Sequence, residues 1–288
     1  MSTWEDVANE VVPLTAPGGL ATGPTRGREG RRGNLGAAFR VSRYLTCPEV
    51  ELAATCDEAW GGEERRAGDG AYYHIDRDLL SFDEKAGDLT ARLEAALAEP
   101  PSRWLDGLTT ADLLFCDIET TGLSPASPLF LIGTMRFAGR QPRIHLYLAR
   151  DPGEEKSVLQ AFAAHVQGKT LVTFNGKSFD WPYIEGRASR WQVPLPKLAG
   201  HYDLLFSARS RWRSKLPNCK LQTLEMGICG RGRSGDIPSA HIPQRYHQWL
   251  QAFAESGSGA HLLSPVLFHN GLDVLTMAEL ICCMREEM

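Results

Sequence analysis

The sequence has no Cys-x-x-Cys pair, no surplus of basic residues and no apolar run of about 18 residues, and each absence removes a class of protein. Its seven cysteines, Cys47, Cys56, Cys116, Cys219, Cys229, Cys282 and Cys283, are scattered and odd in number. They offer neither a disulfide framework nor paired ligands for zinc or an iron–sulfur cluster, and they predict a reduced, cytoplasmic protein. A formal net charge of -4 means that the field of the whole protein does not hold nucleic acid, so any such contact has to be local. A carboxylate-rich metal site would itself push the balance this way. The opening MSTWEDVANEVVPL has no basic segment followed by an apolar stretch, so neither export nor a membrane span is expected.

What is present fits one globular domain with an extension, or two small domains: 288 residues, 43% hydrophobic and 23% charged. Residues 17–36 are rich in Gly and Arg and lack an apolar period, which predicts a flexible segment. Its Arg26, Arg28, Arg31 and Arg32 read as a solvated linker, or as contacts to phosphates. Helices are expected over 48–59 and 84–98, the second with Leu89, Leu93 and Leu97 on one face. Pro100 and Pro101 mark a break. Residues 1–108 are thus assigned to a partly flexible extension with helical segments, and 109–288 to an α/β domain.

From Asp112 the apolar runs shorten and alternate with amphipathic stretches. DLLFCD, LFLIGTMRF, RIHLYLA and TLVTF read as strands, EEKSVLQAFAAHVQ and DWPYIEGRASRW as helices, the latter with Pro182 in its first turn. Further helices are expected around KLQTLEMG, IPQRYHQWLQAFA and PVLFHNGLDVLTMAELICCMREE, with His261 in a preceding loop. Three strands in a meander, a helical crossover and a return strand beside the first would build a mixed central sheet flanked by helices.

Three stations carry candidate chemistry. Asp117 and Glu119 stand two apart at the end of an apolar strand, so both carboxylates share a face. Their repulsion calls for a cation, and hard oxygen donors select Mg²⁺ or Mn²⁺. Asp-x-Glu alone equally describes a strand ending in a solvated acidic turn; the following Thr-Thr-Gly makes it more specific. Asp180 opens a helix after FNGKSF and reads as a ligand or as an N-cap. His269 and Asp273, four apart, share a helix face, as a surface pair would also do.

DIETTGL, FNGKSFD and HNGLD occur in the order of the three exonuclease motifs of the DEDD, or DnaQ-like, superfamily, and RSGDIPSAHIPQRYHQWLQ before PVLFHNGLDVLTM resembles its YprB-like branch. The resemblance covers about residues 112–285. It implies an RNase H-like fold and a 3′–5′ exonuclease acting on single-stranded DNA or RNA. Asp117, Glu119, Asp180 and Asp273 match the metal-binding acids, and His269 matches the water-activating residue. Three residues separate His269 from Asp273, whereas the family's histidine subgroup usually has four; the spacing is that of the tyrosine subgroup.

A two-metal hydrolysis follows as the expected mechanism. Asp117 would be shared between the ions, Glu119 and Asp273 would complete the one holding the attacking water, Asp180 would hold the second, and His269 would orient or deprotonate the nucleophile. Thr120, Asn175, Lys177 and Phe179 are candidate contacts to the terminal nucleotide, with Phe179 and Trp181 read as stacking or core residues. Arg211 and Arg213, with Arg209, Lys215 and Lys220 around Trp212, read as a phosphate-tracking surface or a solvated face. Asp203 reads as a helix cap rather than a fifth ligand. Rival readings are an endonuclease of the same fold, a catalytically idle nucleic-acid-binding module, and a scaffold serving a helicase or repair partner.

Overall fold

The structure, a computed structural model, describes residues 41–138 and 141–287, so the expectations for residues 1–36, including the four arginines named there, fall outside the described residues. In chain order come β1 (Arg43–Thr46), α1 (Cys56–Trp60), β2 (Glu63–Ala67), β3 (Gly70–Asp78) and α2 (Leu89–Ala98). The meander β4 (Leu113–Thr120), β5 (Leu129–Ala138) and β6 (Gln141–Leu148) follows; α3 (Glu155–Val166) crosses over, and β7 (Thr170–Thr173) returns parallel beside β4. Then come α4 (Asp180–Trp191), β8 (Gly200–Asp203), α5 (Leu204–Trp212), α6 (Leu221–Gly227), β9 (Arg231–Ser234), α7 (Ile242–Ser256) and α8 (Ala260–Glu286).

The expected mixed sheet is present, with seven strands in the order β2-β3-β6-β5-β4-β7-β8, while β1 and β9 form a separate parallel pair. The expected division at 108/109 runs through this sheet, because β3 pairs with β6 and carries β2 as its edge. Gly68 at φ +58 allows the tight turn between β2 and β3, and the exposed charged residues of β2 protect an edge that would otherwise recruit further strands.

Two other expectations are corrected. The helix expected over 48–59 is confined to Cys56–Trp60: Thr55 and Glu58 form a capping box, which starts it late, and Gly61 in the left-handed region ends it at once. His261 lies in the first turn of α8 rather than in a loop. The second N-terminal helix agrees with its pattern, with Leu89, Leu93 and Leu97 all buried.

Among the described residues α8 alone is long and apolar enough to cross a bilayer, yet 94% of its most apolar window is buried inside the protein. It is the central core helix, packed on β4 and β5 and embraced by α1, α2 and α7. Alternation along β5 separates the two faces. Gly133 faces Asn270 of α8, whereas the next residue, Thr134, pairs with His145 on the face that α3 covers through His165. Carboxylates placed two apart on β4 opposite Gly133 therefore meet α8.

Candidate active site

The first two acids project from β4 toward α8. Asp117 pairs with Gly133 across the β4–β5 ladder, and the missing side chain there leaves room for Asn270. The Asn270 Nδ2 donates to Asp117 Oδ2 at 2.8 Å and lies 3.5 Å from Glu119 Oε1. A Cβ at residue 133 would overlap the Asn270 side chain. Gly133→Ala is therefore expected to destabilise the protein by about 1–3 kcal/mol, measurable by urea unfolding, since a fully buried asparagine has nowhere to move. A variant as stable as wild type would mean that α8 does not seat on β5 in this way.

Asp180 enters from α4. Phe179 occupies the N-cap position and makes no capping bond with its side chain, so Asp180 is the first helical residue and its carboxylate is not taken up by capping. It accepts backbone hydrogen bonds from its own amide and from Ile118 on β4. One face of α4, carrying Asp180, Tyr183 and Arg187, is clamped to the loop that follows β4. The Tyr183 hydroxyl lies 2.7 Å from Ser127 O and 2.9 Å from Ser124 O. Arg187 forms a buried pair with Glu155, whose carboxylate also accepts from Leu129 N and Trp191 Nε1.

Asp273 comes from the middle of α8, so three elements bring the four predicted acids to one place. Their electrostatics report the convergence. Burial, then the charges of Asp273, Glu119 and Asp180, raises Asp117 well above the usual carboxylate range. Burial pushes Glu119 up to about 8, with Asp273 and Asp180 adding to it and His269 and Asn270 opposing. Burial, with Asp203 and Asp273, takes Asp180 to about 7 against its backbone hydrogen bonds.

His269 is one turn before Asp273, with Nε2 3.4 Å from Asp273 Oδ2 and Nδ1 2.9 Å from Asp236 Oδ1. Burial alone would lower the imidazole, but Asp273, Asp236 and Glu119 outweigh it and raise His269 to about 9. Asp236 is lowered, because the hydrogen bond and charge of His269, with Arg233, overcome its own burial.

Arg233, on β9, donates to Asp273 Oδ1 at 2.5 Å and pairs with Glu225 at 2.6 Å. Asn270, Arg233 and Asp236 are site residues that the sequence reading did not pick out. Asn270 carried a signal, since it stands inside HNGLD. RGRSGD offers nothing in its spacing that would bring Arg233 to Asp273 or Asp236 to His269.

Among the described residues no group of three or more His, Cys, Asp or Glu forms a ready-made metal cage. The Asn270 amide reaches Asp117 and the Arg233 guanidinium holds Asp273. The donor set nonetheless suits a hard divalent cation: Asp117, Glu119 and Asp180 are crowded carboxylates with raised proton affinity and no cationic side chain bound to any of them as an ion pair among the described residues.

The substrate candidates divide. Thr120 ends β4, and its hydroxyl donates to Gly122 O at 2.9 Å, inside the clamped loop. Asn175 adopts φ 66, and its amide and that of Lys177 donate to Asp203 at 2.8 and 3.1 Å. Asp203 also caps α5 through Leu205 N, as a cap rather than a fifth ligand would. Lys177 is exposed; Phe179 and Trp181 are partly buried against the core. No hydrogen bond or ion pair among the described residues joins Arg211 or Arg213 to the carboxylates. Both arginines sit at the far end of α5, which leads away from Asp203, and Arg211 donates to Pro101 O at 2.8 Å. Trp212 is wholly buried with Nε1 on Glu287, so it offers no stacking surface.

The chain is 34% identical over 214 residues to the uncharacterized protein YprB of Bacillus subtilis (strain 168), a match covering 73% of this chain and 50% of that protein. The chain thus spans about half the length of the curated relative it matches. Exonuclease I of E. coli in complex with a dT13 oligonucleotide shows 17% identity and a TM-score of 0.29 over 59% of this chain and 40% of its own. The same enzyme with a 5cy-dA13 oligonucleotide gives 19% identity and a TM-score of 0.28 over 40% and 35%. Likeness at that level bears on neither substrate nor polarity. The RNase H superfamily profile matches residues 114–284, from β4 through nearly the whole of α8, and by that match the chain belongs to the RNase H superfamily.

Proposed function

We propose that the chain is a divalent-metal-dependent nuclease of the DEDD class, a 3′–5′ exonuclease that hydrolyses single-stranded DNA or RNA. The observation that carries this reading is the meeting of Asp117, Glu119, Asp180 and Asp273, from three separate elements, in a buried cluster where three of them have raised proton affinity. Such a cluster is unfavourable for folding alone and suits a site that receives cations. Asp117, repelled by all three other acids, would be shared between two Mg²⁺ or Mn²⁺ ions, with Glu119 and Asp273 serving one and Asp180 the other. When bound, the ions supply the positive charge that stabilises the entering and leaving oxygens of a phosphodiester.

The chain's own residues do the rest. Asp236 holds His269 through Nδ1 and so fixes which way Nε2 points. Against its burial, the charge of Asp273 and the hydrogen bond to Asp236 raise the imidazole to about 9, which favours its protonated form at neutral pH. With cations held by the acids, Asp236 would be the main support of the imidazolium, and Nε2, 3.4 Å from Asp273 Oδ2, would serve as the proton acceptor. Asn270 holds the Asp117 carboxylate, and the clamped loop after β4 fixes the wall beside it. A nuclease of single strands would draw its substrate from a strand-separating partner such as a helicase, or from a repair intermediate.

The test is incubation of end-labelled single-stranded DNA and RNA with Mg²⁺ or Mn²⁺, wild type beside Asp117→Asn. A ladder shortening from the 3′ end with wild type alone is expected. Digestion by both proteins equally, or by neither, would end the proposal; internal cuts would replace the exonuclease reading by an endonuclease one.

A further inference from the structure

Trp104 differs from the other described tryptophans. Trp60, Trp212 and Trp249 are buried, Trp181 and Trp191 are partly buried, and Trp104 stands 56% exposed. An indole left in water costs free energy unless something covers it. Its backbone is not loose. It sits in a 3-10 turn, Arg103–Leu105, capped by Ser102, with the next residue Leu105 fully buried and Pro101 gripped by Arg211. The fold thus presents the ring on a fixed mount.

Two cations lie over that ring, Lys177 Nζ 4.8 Å from its centroid and the Arg103 guanidinium 5.7 Å, and a stacked base would take the place of one of them. Lys177 belongs to the turn that leads into Asp180, three residues later, so their backbones are within about 11 Å of each other. The turn is itself rigid, because the Asn175 and Lys177 amides are tied to Asp203. That carboxylate also caps α5, and no ion pair among the described residues joins it to either cation at Trp104. A flat π-face, two phosphate-seeking cations and a rigid link to an acid cluster stand in one place.

We propose that Trp104, with Arg103 and Lys177, is a stacking platform for a base of an unpaired strand whose end lies at the carboxylates. The proposal rests on the nuclease reading and narrows it, since only unpaired nucleotides expose a base face while their phosphates remain within reach of these cations. In a duplex the faces are hidden except at the ends. Sequence preference would be weak, because every base has a face to offer.

The experiment measures binding in EDTA, where hydrolysis plays no part. Fluorescence anisotropy of a short fluorescein-labelled oligo(dT) and of a blunt duplex is followed with wild type, Trp104→Ala, Trp104→Phe and Lys177→Met. Trp104→Ala should weaken oligo(dT) binding about tenfold, the effect of losing one stacked base, and Trp104→Phe should recover most of it. Lys177→Met should reduce the dependence of log affinity on log salt by about 0.7, one phosphate contact on a single strand. Duplex binding should be weak and insensitive to Trp104. Oligo(dT) binding by Trp104→Ala equal to wild type, an equal loss on duplex and single strand, or no binding by the wild type would overturn the platform. Digestion of end-labelled strands with Mn²⁺ is scored separately, so hydrolysis can fail while the platform stands, and the platform can fail while hydrolysis stands.

Discussion

Replacing Asp117 by Asn is expected to lower phosphodiester hydrolysis about 10³-fold or more while leaving the metal-free protein at least as stable as wild type. The two halves of this result come from one fact. Asp117 is repelled by Asp273, Glu119 and Asp180 in a desolvated setting, so its charge weakens the empty fold and acquires a use only when cations arrive. Asparagine keeps the shape and still offers an oxygen to the Asn270 amide, which in wild type stands 2.8 Å from the carboxylate. Turnover and the melting temperature in EDTA at pH 8 are the two readouts. A variant that melts well below wild type would show that Asp117 holds the fold together, and the functional reading of the cluster would lose its basis.

The opposite pattern is expected at Arg231, where stability and not chemistry is at stake. Its guanidinium is fully buried, 2.8 Å from Glu225, 2.9 Å from Glu279 and 2.7 Å from Thr276 Oγ1. It joins β9 to α6 and α8. Arg231→Met leaves two buried carboxylates short of a partner and should cost about 3–5 kcal/mol in urea unfolding. Arg43 remains on Glu279 and Arg233 on Glu225, which keeps the loss from being larger. The double variant Arg231→Met/Glu279→Leu should recover part of the loss, because it removes one orphaned charge as well. A single variant as stable as wild type would mean that this ion network is dispensable.

The four acids and the helix Asp180–Trp191 were legible in the sequence for physical reasons. Strand period two forces Asp117 and Glu119 onto one face, and a proline tolerated only in a first turn marks where DWPYIEGRASRW begins. The meander and crossover were legible because their apolar runs are long and consecutive in the chain. The edge hairpin was not, since four of the five residues of β2 are charged and β3 finds its partner β6 about 70 residues later. β9 escaped for a related reason. RGRS has no apolar alternation, and Arg231 and Arg233 bind Glu225, Glu279 and Asp273 on elements that the local sequence does not name. Arg211, Arg213 and Trp212 show the converse. A basic, aromatic stretch resembled a nucleic-acid surface, but its tryptophan is buried and Arg211 is engaged with Pro101 O.

The central claim, that the carboxylate cluster is built to receive cations, is tested most directly by melting the protein between pH 6.5 and 9 with EDTA or with Mn²⁺. Below that window buried His74, His145 and His165, all pushed down by burial, titrate with the opposite sign. Within it, Glu119 at about 8 and Asp180 at about 7 hold protons in the folded state that the unfolded chain has released. His269, raised to about 9, gives up its stabilising charge in the same range. Each of these makes the native state bind more protons than the unfolded one, so the melting temperature in EDTA should fall as pH rises. With Mn²⁺ the fall should flatten, and the metal-induced increase should be largest at the alkaline end, because deprotonation frees the ligands. A melting temperature indifferent to pH in this window and unmoved by Mn²⁺ would contradict the account.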